Sequence, residues 1–229
     1  MHQKIDKKNK IYIYIFIFFL LSTFNNLQLV NSNFFTFNVD KIKVSGLSEK
    51  NNLYISEEIE KLFLKNIFII EKDFLFKILE KNNLINSFEI KKIYPNTIEV
   101  EIEEAKLLAI TIIEERFFFI GSNGKLIDYN NSKKNLPYVF GKIDVDNFVH
   151  FVEVVEQSKF DFNKIKEIYF FPSGRWDIKT KDDKLFKLPI ENIEFKLNSI
   201  NEIYINNKFK NAKIIDLRIK NKIIITTEW

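Results

Sequence analysis

The chain has 229 residues, 46% of them hydrophobic, which is enough apolar material for one sizeable core or two small ones. Its 35 basic and 31 acidic residues leave a net charge of +4, and the lysines are spread along the chain instead of forming the basic patch typical of nucleic-acid-binding proteins. The chain has no cysteine, which excludes disulfides, thiolate metal sites and a cysteine nucleophile.

An apolar stretch near the N-terminus predicts where the rest of the chain resides. Residues 11–21 form an unbroken apolar run, and the less apolar continuation to residue 31 brings the segment to about 20 residues, the length that crosses a bilayer. A lysine cluster precedes the run: Lys4, Lys7, Lys8 and Lys10. Because basic residues stay on the cytoplasmic side, the chain after residue 31 is predicted to lie outside the cytoplasm. Two interpretations are open, a membrane anchor or a signal peptide cleaved near Val30-Asn31-Ser32.

The next region predicts the order strand, helix, helix, strand, strand. Ser56 and Asp73 are the predicted N-caps of its two helices, since each precedes a helical spacing of apolar residues. Tyr94-Pro95-Asn96 predicts a turn between the last two strands. The strands are predicted over 39–44, 88–93 and 97–103.

Residues 97–103 carry the clearest alternation in the chain. Ile98, Val100 and Ile102 face one way, and three glutamates, Glu99, Glu101 and Glu103, face the other, which predicts a half-buried strand. Paired carboxylates can perform acid–base catalysis, but catalytic pairs need unlike environments to separate their pKa values. Three equivalent exposed acids lack that difference, so a solvated strand face is favoured.

The remaining chain predicts a second, sheet-rich region that directly follows the first, because no low-complexity linker separates them. Asp146 is the predicted N-cap of a helix over 146–158, and Pro189 is predicted to open a further helix. The predicted strands are 108–113, 117–120, 125–127, 165–171, 176–180, 185–188, 214–219 and 223–227.

Few residues are candidates for catalysis or metal binding. His2 lies in the N-terminal tail, and His150 lies in a predicted helix without a second histidine nearby, so neither predicts a metal site. No serine-nucleophile motif is present. Asp128 and Asp216 are the acids that an enzyme would require to be buried in a cleft with a shifted pKa. We expect no enzyme activity, cofactor or metal.

Several short strings, in the right order over nearly the whole chain, resemble the bacterial cell-division family FtsQ/DivIB. They are Ile42-Lys43-Val44-Ser45-Gly46, Tyr94-Pro95 with the strand that follows, Leu136-Pro137 before Gly141, Arg175-Trp176-Asp177-Ile178, Leu185 to Pro189, and Ile215-Asp216-Leu217-Arg218. The sequence departs from the family pattern mainly at turns, at Glu104-Ala105-Lys106, at Gly121 and at Asp183.

The resemblance implies an α+β fold in four parts and favours the membrane anchor over the signal peptide. These parts are a cytoplasmic tail (1–10), a transmembrane helix (11–31), a POTRA domain of order β-α-α-β-β (35–105), and a mixed β-sheet domain with two helices (106–229). The protein is then expected in the bacterial inner membrane as a single-pass protein at the division septum, with its N-terminus cytoplasmic and its bulk periplasmic.

The resemblance also implies a non-enzymatic scaffold of the divisome that binds FtsB and FtsL in the periplasm and links septum assembly to peptidoglycan synthesis. Strand addition at a C-terminal sheet edge is the implied binding mode. The implied contacts are Arg218, Ile219, Lys220, Ile223, Ile224, Ile225 and Thr226, with a second contact at Lys43, Val44 and Gly46. Two alternatives are another POTRA-containing periplasmic adaptor or chaperone, and a membrane-anchored cell-wall enzyme.

Overall fold

The computed structural model describes residues 7–23, 37–61, 65–129, 134–205, 211–220 and 222–227. Its α-helices are α1 (Lys7–Thr23), α2 (Glu49–Glu60), α3 (Lys72–Glu80), α4 (Val145–Gln157) and α5 (Ile193–Ile205). Its strands are β1 (Lys41–Ser45), β2 (Ile85–Ile93), β3 (Thr97–Glu104), β4 (Leu107–Ile113), β5 (Arg116–Gly121), β6 (Leu126–Asp128), β7 (Tyr138–Phe140), β8 (Ile165–Phe170), β9 (Trp176–Thr180), β10 (Leu185–Lys187), β11 (Ala212–Asp216) and β12 (Ile224–Thr227).

Helix α1 contains the apolar run, and the side chains of residues 11–21 are exposed. Over the ranges given above, no helix combines the length and apolarity required to cross a bilayer. The predicted membrane segment 11–31 coincides with α1 as far as Thr23, and its remainder lies outside the described residues.

A three-stranded sheet in the order β1-β3-β2, together with α2 and α3, forms the first unit. This is the predicted order β-α-α-β-β. Strand β3 pairs in parallel with β1 and antiparallel with β2. Its inward residues are buried against helix residues such as Ile59 and Leu75, and its glutamates face out, as the alternation predicted.

Both predicted helix caps in this unit were wrong. Helix α2 begins after Ser48, so Ser56 lies inside the helix, where its hydroxyl donates to the Leu53 carbonyl. Helix α3 begins after Glu71, two residues before Asp73. Serine occurs at residues 45, 48 and 56 around helix α2, and the local pattern does not distinguish a cap from a first-turn or interior residue.

The second unit is a nine-stranded sheet in the order β12-β11-β10-β9-β8-β7-β4-β5-β6. One row of residues crosses its centre in register, Ile168, Ile178, Phe186 and Ile215, and all four are fully buried. They share a core with the apolar faces of α4 and α5, the two helices expected in this region. Strand β7 was not predicted, because three residues after Leu136-Pro137 are too short a run to show alternation.

Two further helix starts differ from prediction. Helix α4 is capped by Asp144, whose side chain accepts from the backbone amides of Asp146 and Asn147, so Asp146 lies in the first turn. Helix α5 begins at Ile193 and not at Pro189.

The two units are in direct contact, with only Ala105 and Lys106 between β3 and β4. The side-chain amide of Asn123 donates to the carbonyls of Asn83 (2.9 Å) and Ile85 (2.8 Å). From the other side, the Asn83 side chain donates to the Leu126 carbonyl at 2.7 Å. These hydrogen bonds connect the end of the first unit to the β5–β6 hairpin of the second.

Candidate partner-binding site

Strand β12 is the last strand of the nine-stranded sheet. It pairs antiparallel with β11 alone, with Asp216 opposite Ile224 and Ile215 opposite Ile225. Among the described residues no strand lies on its outer side. Alternate backbone amides and carbonyls of an edge strand point away from the sheet, where another chain can bond to them.

Both faces of β12 are exposed. Ile224 and Ile225 project to opposite faces, and they are 48% and 40% exposed. The sequence alone allowed one face to be buried in the core, since Ile225 continues the row of Ile178, Phe186 and Ile215. Instead, the core beneath the helices ends at β11. Ile219 and Ile223 are also exposed, so the β12 edge of the sheet is an apolar surface.

The predicted strand 214–219 ends early, so Arg218, Ile219 and Lys220 lie in the connection before β12. Asp216 causes this change of direction, because its carboxylate accepts from the backbone amide of Arg218 at 3.0 Å. Such an aspartate turn competes with continued strand pairing. Thr226 and the three isoleucines 223–225 lie at the margin, so the structure brings most of the predicted residues together.

Arg218 is already engaged within the chain. Its Nε lies 2.8 Å from Oδ1 of Asp216, and its Nη2 contacts Oδ2, which makes a two-pronged ion pair. The hydrogen bonds from Arg218 lower the pKa of Asp216, although partial burial of the carboxyl opposes that shift. Arg218 therefore fixes the connection ahead of β12, a role that the sequence did not predict.

A row of charged residues on the face away from the helices leads to β12. Asp177, Lys187 and Asp216 lie opposite one another on β9, β10 and β11, and Ile224 comes next in register. Arg175 donates to Asp177 at 3.1 Å. Burial raises the pKa of Asp177 against the lowering effect of Arg175. Cross-strand register created this row, and no local sequence pattern indicated it.

The second predicted contact lies on β1, an edge of the three-stranded sheet. Lys43 is exposed, Val44 is half-buried, and a shallow groove separates the strand from α2. Gly46 has a structural reason to be glycine: its φ is +108°, and a Cβ there would stand 1.7 Å from the carbonyl oxygen of Ile102.

Of the two acids considered for catalysis, only Asp216 is buried with a shifted pKa, and its carboxylate is bound by Arg218. Asp128 is exposed, and Asp216 is paired with Arg218 so that its pKa falls. His150 lies on the exposed side of α4, with Nδ1 3.5 Å from a Glu153 oxygen. In the part of the chain that is described, no three His, Asp or Glu side chains cluster as metal ligands would.

Two protein families match the chain. The family described as cell division protein FtsQ/DivIB, C-terminal, matches residues 110–218, and the POTRA domain, FtsQ-type, matches residues 37–105. No curated protein matches. A similar solved structure is the major extracytoplasmic domain of the trans isomer of the bacterial cell division protein DivIB from Geobacillus stearothermophilus, at 19% identity and a TM-score of 0.33, covering 42% of this chain and 87% of that one.

Proposed function

This chain belongs to the FtsQ/DivIB family of bacterial cell division proteins, and from that premise we propose that it is a non-enzymatic scaffold of the divisome. It holds FtsB and FtsL in the periplasm and thereby links septum assembly to peptidoglycan synthesis. The family is not a known enzyme family, which supports a binding role.

The observation that carries the proposal is the outer margin of β12, along which none of the described strands lies. A partner strand laid along it would gain backbone hydrogen bonds, each contributing only about 0.5–1.5 kcal/mol net. Apolar burial must supply the rest of the affinity, at about 25 cal/mol per Å². Ile223, Ile224 and Ile225 offer apolar surface on both faces, so a partner with a strand and an adjoining apolar segment fits this margin.

We propose that the chain is anchored in the inner membrane by the segment 11–31, with residues 1–10 cytoplasmic. The exposed apolar side chains of α1 and the lysines before them support this placement. The proposed periplasmic part consists of a POTRA domain (35–105) and a β domain (106–229). The β1 edge with its groove against α2 supports a second contact for other divisome proteins.

The test is Ile224→Pro in the full chain. Proline removes a backbone amide and fixes φ, which disrupts both the geometry and the bonding of an edge strand. We expect the affinity for a peptide from the periplasmic segment of FtsB, measured by fluorescence anisotropy, to fall about tenfold or more, the equivalent of roughly one lost hydrogen bond and its neighbouring contacts.

The matched control is Ile224→Val, which keeps the β-branched side chain and should bind within about threefold of the unchanged protein. With Trp229→Phe introduced in all proteins compared, emission from Trp176, which is buried in the core beside α4, reports whether each variant remains folded. A folded Ile224→Pro protein with unchanged affinity would falsify the edge-strand mechanism.

A further inference from the structure

The first unit carries an exposed aromatic cluster that the partner-binding site does not use. We call it the aromatic tip, and it consists of Phe37, Phe68, Ile69, Phe74 and Tyr94. Ile69 is 76% exposed, the highest value among the large apolar residues described in this unit, and Phe68 is 57% exposed. Single exposed apolar residues are ordinary, but a contiguous group marks an interaction surface.

The aromatic tip is an ordered arrangement. The ring of Phe68 stacks on Tyr94 with 4.8 Å between centroids and meets Phe37 edge-on at 5.1 Å. Backbone hydrogen bonds hold the loop in place, from the Ile67 amide to the Phe37 carbonyl at 2.7 Å and from the Val39 amide to the Lys65 carbonyl at 3.1 Å. The Lys92 ammonium donates to the Ile70 carbonyl at 2.6 Å. The apolar side chains are therefore held outward on a fixed base.

The tip lies at the end of the sheet that is farthest from the second unit. Strand β3 begins at Thr97, beside the tip, and ends at Glu104, where the second unit starts. Its eight residues separate the two ends by about 25 Å at roughly 3.3 Å per residue. Strand β12, the proposed partner-binding strand, belongs to the second unit. The tip and the partner-binding site therefore lie on different units of the molecule.

The tip also lies where the chain enters the unit. Phe37 is the first described residue of the unit, and the segment 24–36 connects Phe37 to the end of α1 at Thr23. A polypeptide of that length reaches at most roughly 50 Å when fully extended. If α1 is part of a membrane anchor, the tip is held within that distance of the bilayer.

We propose that the aromatic tip inserts into the outer interface of the same bilayer that holds the N-terminal anchor. Aromatic side chains are favoured at the boundary between headgroups and acyl chains, and burial of Ile69 and Phe68 there removes apolar surface from water. The inference rests on the proposed membrane anchor and adds a second contact that orients the periplasmic part.

The charges around the tip specify apolar insertion and not headgroup recognition. Four lysines surround it, Lys41, Lys65, Lys72 and Lys92, and three acidic residues are interleaved with them, Asp40, Glu71 and Asp73. Since these residues leave only one net positive charge, the contact should form on zwitterionic lipid and persist in high salt, unlike the binding of polybasic segments.

The experiment places a tryptophan in the tip of the full chain, in a Trp229→Phe background, and reconstitutes it in phosphatidylcholine nanodiscs with or without brominated acyl chains. Bromine quenches only tryptophans that reach the hydrocarbon boundary, and the native Trp176 is buried. The variants are Ile69→Trp and, as a milder aromatic exchange, Tyr94→Trp. The control is Phe195→Trp on α5 in the second unit, at a position whose exposure (69%) lies between those of Ile69 (76%) and Tyr94 (55%).

We expect the bromine-dependent quenching of Ile69→Trp and Tyr94→Trp to exceed that of Phe195→Trp by roughly twofold or more, because interfacial aromatics lie at the depth of the quencher. Equal quenching in both tip variants and the control, with protein retained on the discs, overturns the tip contact while leaving the anchor intact. Protein that fails to co-purify with the discs overturns the anchor and this inference together.

Discussion

At the scale of single residues, two aspartates with similar local sequence behave differently. Asp177 and Asp216 flank Lys187 in neighbouring strands, and each has an arginine two positions away in the chain. Burial dominates at Asp177 and raises its pKa, whereas the two-pronged contact with Arg218 dominates at Asp216 and lowers its pKa. The difference arises because Asp177 lies inside the sheet and Asp216 lies at its penultimate strand.

Replacing each aspartate by asparagine should therefore give opposite pH dependences. Asp216 stabilises the fold above its unfolded pKa of about 3.9, and this contribution is lost as the pH falls through the lower folded pKa. Asp216→Asn should cost about 1 kcal/mol at pH 7, since water screens the partly open ion pair, and progressively less below pH 4. The measurement is the free energy of unfolding in urea between pH 3 and pH 8.

Asp177→Asn is the matched comparison. The folded pKa of Asp177 is raised, so its contribution is fully present below the unfolded pKa and is lost as the pH rises through the folded value. As the pH falls, the free energy of unfolding of the unchanged protein should therefore rise relative to that of Asp177→Asn. Relative to Asp216→Asn it should fall. Parallel trends for the two variants would contradict the assigned causes of the shifts.

At the scale of elements, the start of α4 provides a test of capping. Asp144 accepts from two backbone amides of the first turn, at 2.9 and 3.2 Å. Asp144→Ala should lower the free energy of unfolding by about 1 kcal/mol, because these amides would lose their acceptor. Asp146→Ala, at the position predicted from sequence, should cost clearly less in the same urea titration. Equal losses at both positions would show that the cap contributes nothing specific.

The sequence predicted elements better than it predicted their ends. Alternation identified β3 and the β8–β9–β10 series, because each has one face in a core, and the residue pattern predicted the β-α-α-β-β order of the first unit. Helix starts were misplaced at Ser56, Asp73, Asp146 and Pro189, since several residues near each helix can cap it and tertiary packing selects one.

The candidate site was predicted as a segment and not as an arrangement. The isoleucine-rich run was evident in the sequence, but its exposure on both faces depends on where α4 and α5 end over the sheet. The Asp216–Arg218 pair and the Asp177–Lys187–Asp216 row depend on a turn and on strand register, respectively. The periodicity of apolar residues indicates neither the ion pair nor the row of charged residues.

At the scale of the whole molecule, two separate cores meet through a small apolar cluster. The first unit has its own core around Ile59, Leu75 and Ile98, and the second has its own beneath α4 and α5. Between them lies a cluster of Ala105, Ile110, Phe119 and Ile127. The units should therefore lose stability independently.

Leu75→Ala tests this independence. Leu75 is fully buried in the first core, so the truncation should cost roughly 2–5 kcal/mol. In native-state hydrogen exchange the amides of β3 should open more easily by that amount, while those of β9 remain unchanged. Leu197→Ala, at a fully buried position of α5, should do the reverse. Equal acceleration of β3 and β9 in both variants would mean that the two units unfold as one.

The short connection through Ala105 and Lys106 also gives the molecule a mechanical character. Strand β3 is central in its sheet and β4 is interior in the next, so tension between the two ends of the molecule would run along strands bonded on both sides. Strand β12 has four residues and a single ladder to β11. Under tension, the short ladder between β11 and β12 should separate first. The assembly would then dissociate at β12 while both cores stay folded.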